Sequence, residues 1–263
     1  MALTPLYLKI NQVWRIFATG FCFSVFGFGG LILSFVLIPI IARLTSEPTV
    51  REYRVQALIQ RSFHLFCRLM KHTGAIDYKI TGAERLQQDR HCLIVANHPS
   101  LIDYVLIASQ LEQCDCLVKS AIWRNPFMKH IVRAAGYIPN EAPDDVISIC
   151  DQRFDQGNVL LVFPEGTRTT PGVESKLQRG AAQIAIRTRR DLRVVHISVS
   201  PSFLTKEKMW YQVPKIKPFF HIEIKGKIDV EPFIAQTNSP TLAARKLNRY
   251  LAEAIFPKMN NDE

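Results

Sequence analysis

Between Arg15 and Arg43 the chain carries no charged residue, and Ile16 to Ala42 is dominated by Phe, Leu, Ile and Val. No other stretch restricts the fold as tightly. A run of this length is long enough to cross a bilayer, where backbone N–H and C=O groups must bond one another, so it is expected to be helical. Gly20, Gly27, Gly29 and Gly30, with Pro39, leave open a bent hairpin that dips into one leaflet instead of spanning it. A cleaved signal peptide fits poorly: the apolar core is too long and no small-x-small site follows it. Lys9 and Arg15 precede the run, whereas Arg43, Arg51, Arg54 and Arg61 follow it. That excess puts the rest of the chain on the cytoplasmic side.

The remaining residues divide simply. Residues 1–45 form an N-terminal membrane-associated segment, 46–75 a connecting amphipathic helix, and 76–263 one catalytic-sized domain. Pro48 to His72 reads as that helix, ended by Gly74, with Tyr53, Leu58, Phe63, Phe66, Leu69 and Met70 as its apolar surface. Strand-like runs then recur at Ile76 to Ile80, Cys92 to Val95, Cys116 to Val118, Val159 to Phe163, Val194 to Val199 and Phe219 to Ile224. Helical patterns lie between them, at Leu101 to Leu111, Pro126 to Ala135, Asp144 to Phe154 and Lys176 to Thr188, and a last amphipathic helix runs from Pro240 to Ile255. Alternation of this kind predicts an α/β fold with helices on both faces of a sheet.

Two strand ends carry chemistry. The first, Val95-Ala96-Asn97-His98-Pro99, turns a buried strand into a helix with His98 at the corner and Asp103 five residues on. Helical side chains lean toward the helix N-terminus, so Asp103 can reach back to the imidazole. A carboxylate on one ring nitrogen fixes the tautomer and raises the basicity of the other, as a general base requires. Taken alone, the pair is also compatible with a corner His bonded to backbone and an Asp favoured by the helix dipole. The second end is Phe163-Pro164-Glu165-Gly166-Thr167-Arg168-Thr169. There Arg168 offers a fork of donors suited to phosphate or carboxylate, and Glu165 can accept from a substrate hydroxyl or hold Arg168. A local Glu and Arg pair at a strand-ending turn is the alternative.

Lys and Arg exceed Asp and Glu by ten, a surplus that favours anionic partners such as a membrane surface or an acidic protein. The aromatic residues are not interleaved with the basic ones in any patch, which argues against nucleic acid. The six cysteines show no paired Cys-x-x-Cys framework, so no metal site is expected, and Cys114-Asp115-Cys116 reads as a loop entering a strand. No Gly-x-Ser-x-Gly elbow supports a serine hydrolase.

Asn97-His98 with Asp103, followed by Phe163-Pro164-Glu165-Gly166-Thr167-Arg168, resembles the glycerophospholipid acyltransferase family, the PlsC-like enzymes that acylate lysophosphatidate and related acceptors. The resemblance covers roughly Ile80 to Pro201. It implies a mixed, largely parallel central sheet flanked by helices, behind the N-terminal membrane-associated helical segment. It also implies an O-acyltransferase on the cytoplasmic face of the inner (plasma) membrane that moves a fatty acyl group from acyl carrier protein (acyl-ACP) or coenzyme A (acyl-CoA) to a lysolipid. The thioester is a co-substrate, and no cofactor or metal is implied.

In that reading His98 is the general base and Asp103 the carboxylate that orients it. Asn97, Glu165, Gly166, Thr167 and Arg168 bind substrate, and Lys119 or the Gly166 amide faces the tetrahedral oxyanion. Val194 to Pro201 resembles the family's fourth block, its His196 a strand residue and not a second base. One departure stands out: where the family has an Arg after Gly and a short apolar run, Gly136-Tyr137-Ile138-Pro139 is followed by Asn140. Asn140 as an acceptor contact cannot neutralise a phosphomonoester, which points to a lysophospholipid with a capped phosphate, a lyso-aminolipid or a specialised lipid of a secondary pathway. Arg124, Lys176 and Arg179 are the other cations available to supply that charge.

Overall fold

The computed structural model describes residues 5–169 and 176–256. Seven strands make one sheet: β1 Asp77–Thr81, β2 Cys92–Ala96, β3 Asp115–Val118, β4 Ile138–Pro139, β5 Val159–Val162, β6 Leu192–Ser200 and β7 Phe219–Ile228. Their order is β1-β7-β6-β2-β5-β3-β4. Every neighbouring pair is parallel except β6 and β7, so β2 to β6 end on one edge while β1 and β7 run the other way. The sheet is thus mixed and largely parallel, and β2 lies inside it between β5 and β6.

All five residues of β2 are buried, as befits a strand covered on both faces. Its side chains alternate between two cores. Cys92, Ile94 and Ala96 pack with Phe66, Cys67, Met70, Leu106 and Ile107, whereas Leu93 and Val95 pack with Phe154, Ile184, Leu247 and Leu251. The first set of partners lies on the helices Pro48–His72 and Asp103–Ala108, the second on Pro143–Asp155, Gly180–Thr188 and Pro240–Ile255. Helices therefore cover both faces.

The strand-like runs all become strands, shifted by no more than two residues at their ends except β7, which runs four residues beyond Ile224. Strand β4 and the short helices Ala83–Gln88, Ser120–Arg124 and Glu231–Ala235 are additional elements, and none is long enough to display a readable period. The helix after β2 starts at Asp103 and not at Leu101, and the Leu101 N–H donates to the Leu204 carbonyl.

The N-terminal segment corrects the hairpin alternative. Pro5–Ile32, a wider π-type turn Leu33–Leu37 and Ile38–Leu44 follow one another as a single helical run of 40 residues, within which an 18-residue stretch has mean hydropathy 2.5. A chain reversal would leave backbone groups unpaired, and the glycines sit within the helix instead. By length and composition this helix suffices to cross a membrane. One side of it is held by the domain. Gln12 donates to the Val213 carbonyl at 2.6 Å, the buried Arg15 donates to the Pro214 and Lys215 carbonyls, and Ala18 and Cys22 join the first core. The other side exposes Leu6, Phe17, Phe21 and Phe28.

The helix Pro48–His72 does more than connect. Its buried Gln56 donates to Asp115 Oδ1 at 2.8 Å and to the Ala135 carbonyl at 2.7 Å, and accepts from the Cys114 N–H. Asp115 has no solvent exposure and also accepts from Arg153 Nε and Nη2 and from Asn158. The Cys114-Asp115-Cys116 cluster is therefore an acceptor hub joining helix to sheet. Breaking a buried pair leaves an uncompensated charge, so Arg153→Met is expected to cost about 3–5 kcal/mol. Denaturant unfolding in detergent measures this, and an unchanged midpoint would remove the hub from the account.

Candidate active site

The parallel register brings the ends of β2 and β5 side by side, Val95 opposite Val162. Open α/β sheets bind ligands at that carboxyl edge. His98 follows β2, and its Nδ1 lies 2.9 Å from Asp103 Oδ2. The Ser100 N–H donates to the same oxygen at 2.6 Å. Asp103 has no solvent exposure, and burial pushes its carboxyl up to about 6, opposed by the bonds from His98 and Ser100. On its other side the imidazole stacks on Phe163, with ring centroids 4.3 Å apart. With Nδ1 turned to the carboxylate, the ring directs Nε2 away from it, and the side chain keeps 20% exposure.

The residues around His98 are tied down by bonds that only the folded sheet creates. Glu165 is buried; its Oε1 accepts from the His98 N–H at 2.9 Å and from the Thr169 hydroxyl at 2.7 Å. The Thr169 N–H in turn donates to the His98 carbonyl at 2.7 Å. Glu165 Oε1 thus fixes the two strand ends to each other, an arrangement distinct from holding Arg168. Asn97, expected to touch substrate, is buried: its Nδ2 donates to the Ile197 carbonyl and its Oδ1 accepts from the Ile197 N–H, both at 2.7 Å. Both ends of that amide are committed to β6.

Gly166 adopts φ +68°, a conformation a side chain would strain, and its N–H donates to the Phe163 carbonyl at 3.0 Å. That bond closes the turn, so the Gly166 amide is not an open oxyanion donor. Arg168 is half-buried, with Nη1 donating to the Leu204 and Thr205 carbonyls at 3.0 Å. Its other N–H groups have no partner among the described residues. Thr167 is exposed beside it.

Lys119 and Asn140 end β3 and β4 on the same edge, and both are exposed. The strand order puts them two and three places from β2, so Asn140 stands roughly 14 Å to the side at about 4.8 Å per strand. The structure does not bring Asn140 to His98, and the backbone N–H of Asn140 extends the β3–β4 pairing through the Val118 carbonyl. Arg124 is exposed and lies 4.0 Å from Glu141. His196 is half-buried, bonds the Ile255 carbonyl at 2.9 Å, and is pushed down by burial, as suits a strand residue. Phe163, Thr169 and Ser100 were not singled out from sequence. Phe163 was legible in principle, since a parallel pairing of its strand with β2 places it next to His98.

The acyltransferase family model matches residues 77–202. The match contains both strand ends and every bond just described between them. Over those residues the chain is similar to the acyltransferase family. It is 28% identical over 180 residues to the chloroplastic 1-acyl-sn-glycerol-3-phosphate acyltransferase BAT2 of Brassica napus, covering 64% of this chain and 50% of that one. It is 26% identical over 153 residues to 1-acyl-sn-glycerol-3-phosphate acyltransferase beta of Homo sapiens, covering 55% of each. The chain spans about half the length of these relatives. The crystal structure of the 1-acyl-sn-glycerophosphate acyltransferase PlsC from Thermotoga maritima superposes with a TM-score of 0.67 at 18% identity, over 94% of this chain and 95% of that one, and so shares the fold.

Because the Asn97 amide serves two buried backbone groups of β6, Asn97→Ala should cost about 2–5 kcal/mol, the penalty for stranding them. Denaturant unfolding reads the loss. A cost below about 0.5 kcal/mol would contradict the clamp.

Proposed function

We propose that this chain is a membrane-bound O-acyltransferase that esterifies the free hydroxyl of a lysophospholipid-type acceptor with an acyl group from a thioester of acyl carrier protein or coenzyme A. The observation that carries the reading is His98 held by a fully buried Asp103 at Nδ1 and stacked on the ring of Phe163, which leaves Nε2 turned away from the carboxylate. Asp103 accepts the Nδ1 proton, so neutral His98 carries its lone pair on Nε2. Nε2 removes the acceptor hydroxyl proton as that oxygen attacks the thioester carbonyl. The new C–O ester bond forms, the C–S bond breaks, and the thiolate leaves with the proton from His98. Asp103 stabilises the imidazolium between those steps.

Arg168 supplies the cation for the anionic headgroup, held rigid by its two carbonyl bonds. Lys119 is the oxyanion donor that the closed Gly166 turn leaves available, exposed on the same edge. The N-terminal helix anchors the protein: the domain grips one side of it, so lipid meets the other. The arginines beyond it favour the cytoplasmic face. Asn140 stands away from β2, which supports Arg168 as the residue that sets the headgroup charge accepted.

The test is release of thiol from an acyl thioester with and without lysolipid. Release should require the acceptor, and His98→Ala should lower it by about 10² or more while the protein still extracts with membranes. Release without acceptor would identify a hydrolase, and more than about a tenth of the activity left in His98→Ala would remove it as base.

The pH dependence has a definite sign. Productive catalysis needs Asp103 ionised and His98 neutral, and burial keeps the Asp103 proton on up to about pH 6. The second-order rate constant kcat/KM should therefore be level above neutrality and fall as the pH drops through about 6. A profile still level at pH 5 would contradict the pairing.

A further inference from the structure

On the face of the sheet opposite the N-terminal helix, residues 176–179 and the helix Pro240–Ile255 enclose an open groove of about 770 Å³. Lys176, Arg179, Arg245, Lys246 and Arg249 line it, with Leu242 half exposed among them and no Asp or Glu among the described lining residues. The cations just outside are spoken for: Arg187 pairs with Asp144, Arg189 with Glu231 and Arg190 with Asp155. None of the five groove cations has a carboxylate partner among the described residues. Unneutralised like charges repel one another and gain when an anionic surface arrives.

The groove is coupled to the site. Its first wall is fixed to the acceptor-motif turn, because the Gln178 N–H donates to the Pro164 carbonyl at 2.7 Å. Its second wall is fixed to the sheet through Leu247 and Leu251, in the core facing away from Ala18 and Cys22 of the N-terminal helix. The groove thus lies on the face of the sheet away from the N-terminal helix. The lining has no aromatic ring on which a nucleotide base could stack, and its cations are spread over both walls of an open surface. These features suit an acidic protein better than a nucleotide or a lipid headgroup.

We propose that this groove docks the acidic surface of an acyl carrier protein, whose phosphopantetheine arm then delivers the acyl thioester to His98. The proposal rests on the acyltransferase reading and commits it to one donor. Lys176 and Arg179, considered from sequence as sources of charge for the acceptor, belong to this donor site.

The test compares palmitoyl-acyl carrier protein with palmitoyl-coenzyme A for the full chain and for the combined variant Arg245→Glu, Lys246→Glu, Arg249→Glu. The KM for the carrier-protein thioester should rise about tenfold or more with kcat within about twofold, while the KM for the coenzyme A thioester moves less than about twofold. A combined Arg245→Gln, Lys246→Gln, Arg249→Gln variant, which removes charge without reversing it, should show a smaller rise of the same kind. Fluorescence anisotropy of labelled carrier protein reads docking without turnover, and the wild-type affinity should fall as salt rises. An equal rise for both donors would overturn the proposal in favour of phosphate binding, and no change for either would overturn it outright. Lost vesicle binding in the variants with unchanged carrier-protein affinity would assign the groove to lipid. A wild-type protein that docks the carrier but transfers from neither donor would sink the acyltransferase reading and leave the groove assignment standing.

Discussion

A carboxylate without solvent is costly, and the chain places one, Asp103, against Nδ1 of its corner histidine. Burial raises its proton affinity, and the His98 and Ser100 donors pull it back, leaving the group near 6. The folded state therefore binds this proton more tightly than the unfolded chain does. Its stabilising share is complete below the ordinary carboxyl range and is lost as the pH rises through about 6, so the ionised form is held at a cost to stability. Everything around the pair serves to keep that geometry: Phe163 against one face of the imidazole, Glu165 under its backbone, Asn97 locking the strand end to β6.

The sheet makes this possible through direction. With β2 to β6 parallel, residues far apart in sequence finish on one edge, and the ends of neighbouring strands lie within hydrogen-bond reach. Glu165 bonds the His98 N–H across that gap, and the Thr169 N–H returns a bond to the His98 carbonyl. The two faces then divide the labour. One receives the long apolar helix through Arg15, Ala18 and Cys22, and the other carries the cationic groove.

Much of this was legible in the residues. Five-residue apolar runs bounded by turn formers can only be buried strands when helices alternate with them, and β2 and β5 lay where such runs predicted. The His98 and Asp103 spacing was likewise readable, because a helix leans its side chains toward its start. What escaped were contacts fixed by tertiary pairing. No local pattern distinguishes an Asn that binds substrate from one that clamps β6, as Asn97 does. The Gly166 amide was a plausible oxyanion donor until the turn closed it onto Phe163. Asn140 drew attention by its place in a motif, yet the order of strands, which sequence spacing does not encode, moves it to the far side of the edge.

The ring nitrogens of His98 report on the central claim without any substrate. In protein labelled with ¹⁵N at histidine and held above neutral pH, the His98 resonances, assigned by their absence in a His98→Ala sample, should show Nδ1 protonated and Nε2 bearing the lone pair, and Asp103→Asn should disturb that preference. A neutral imidazole with its proton on Nε2 would leave no base facing the strand edge and would contradict the account.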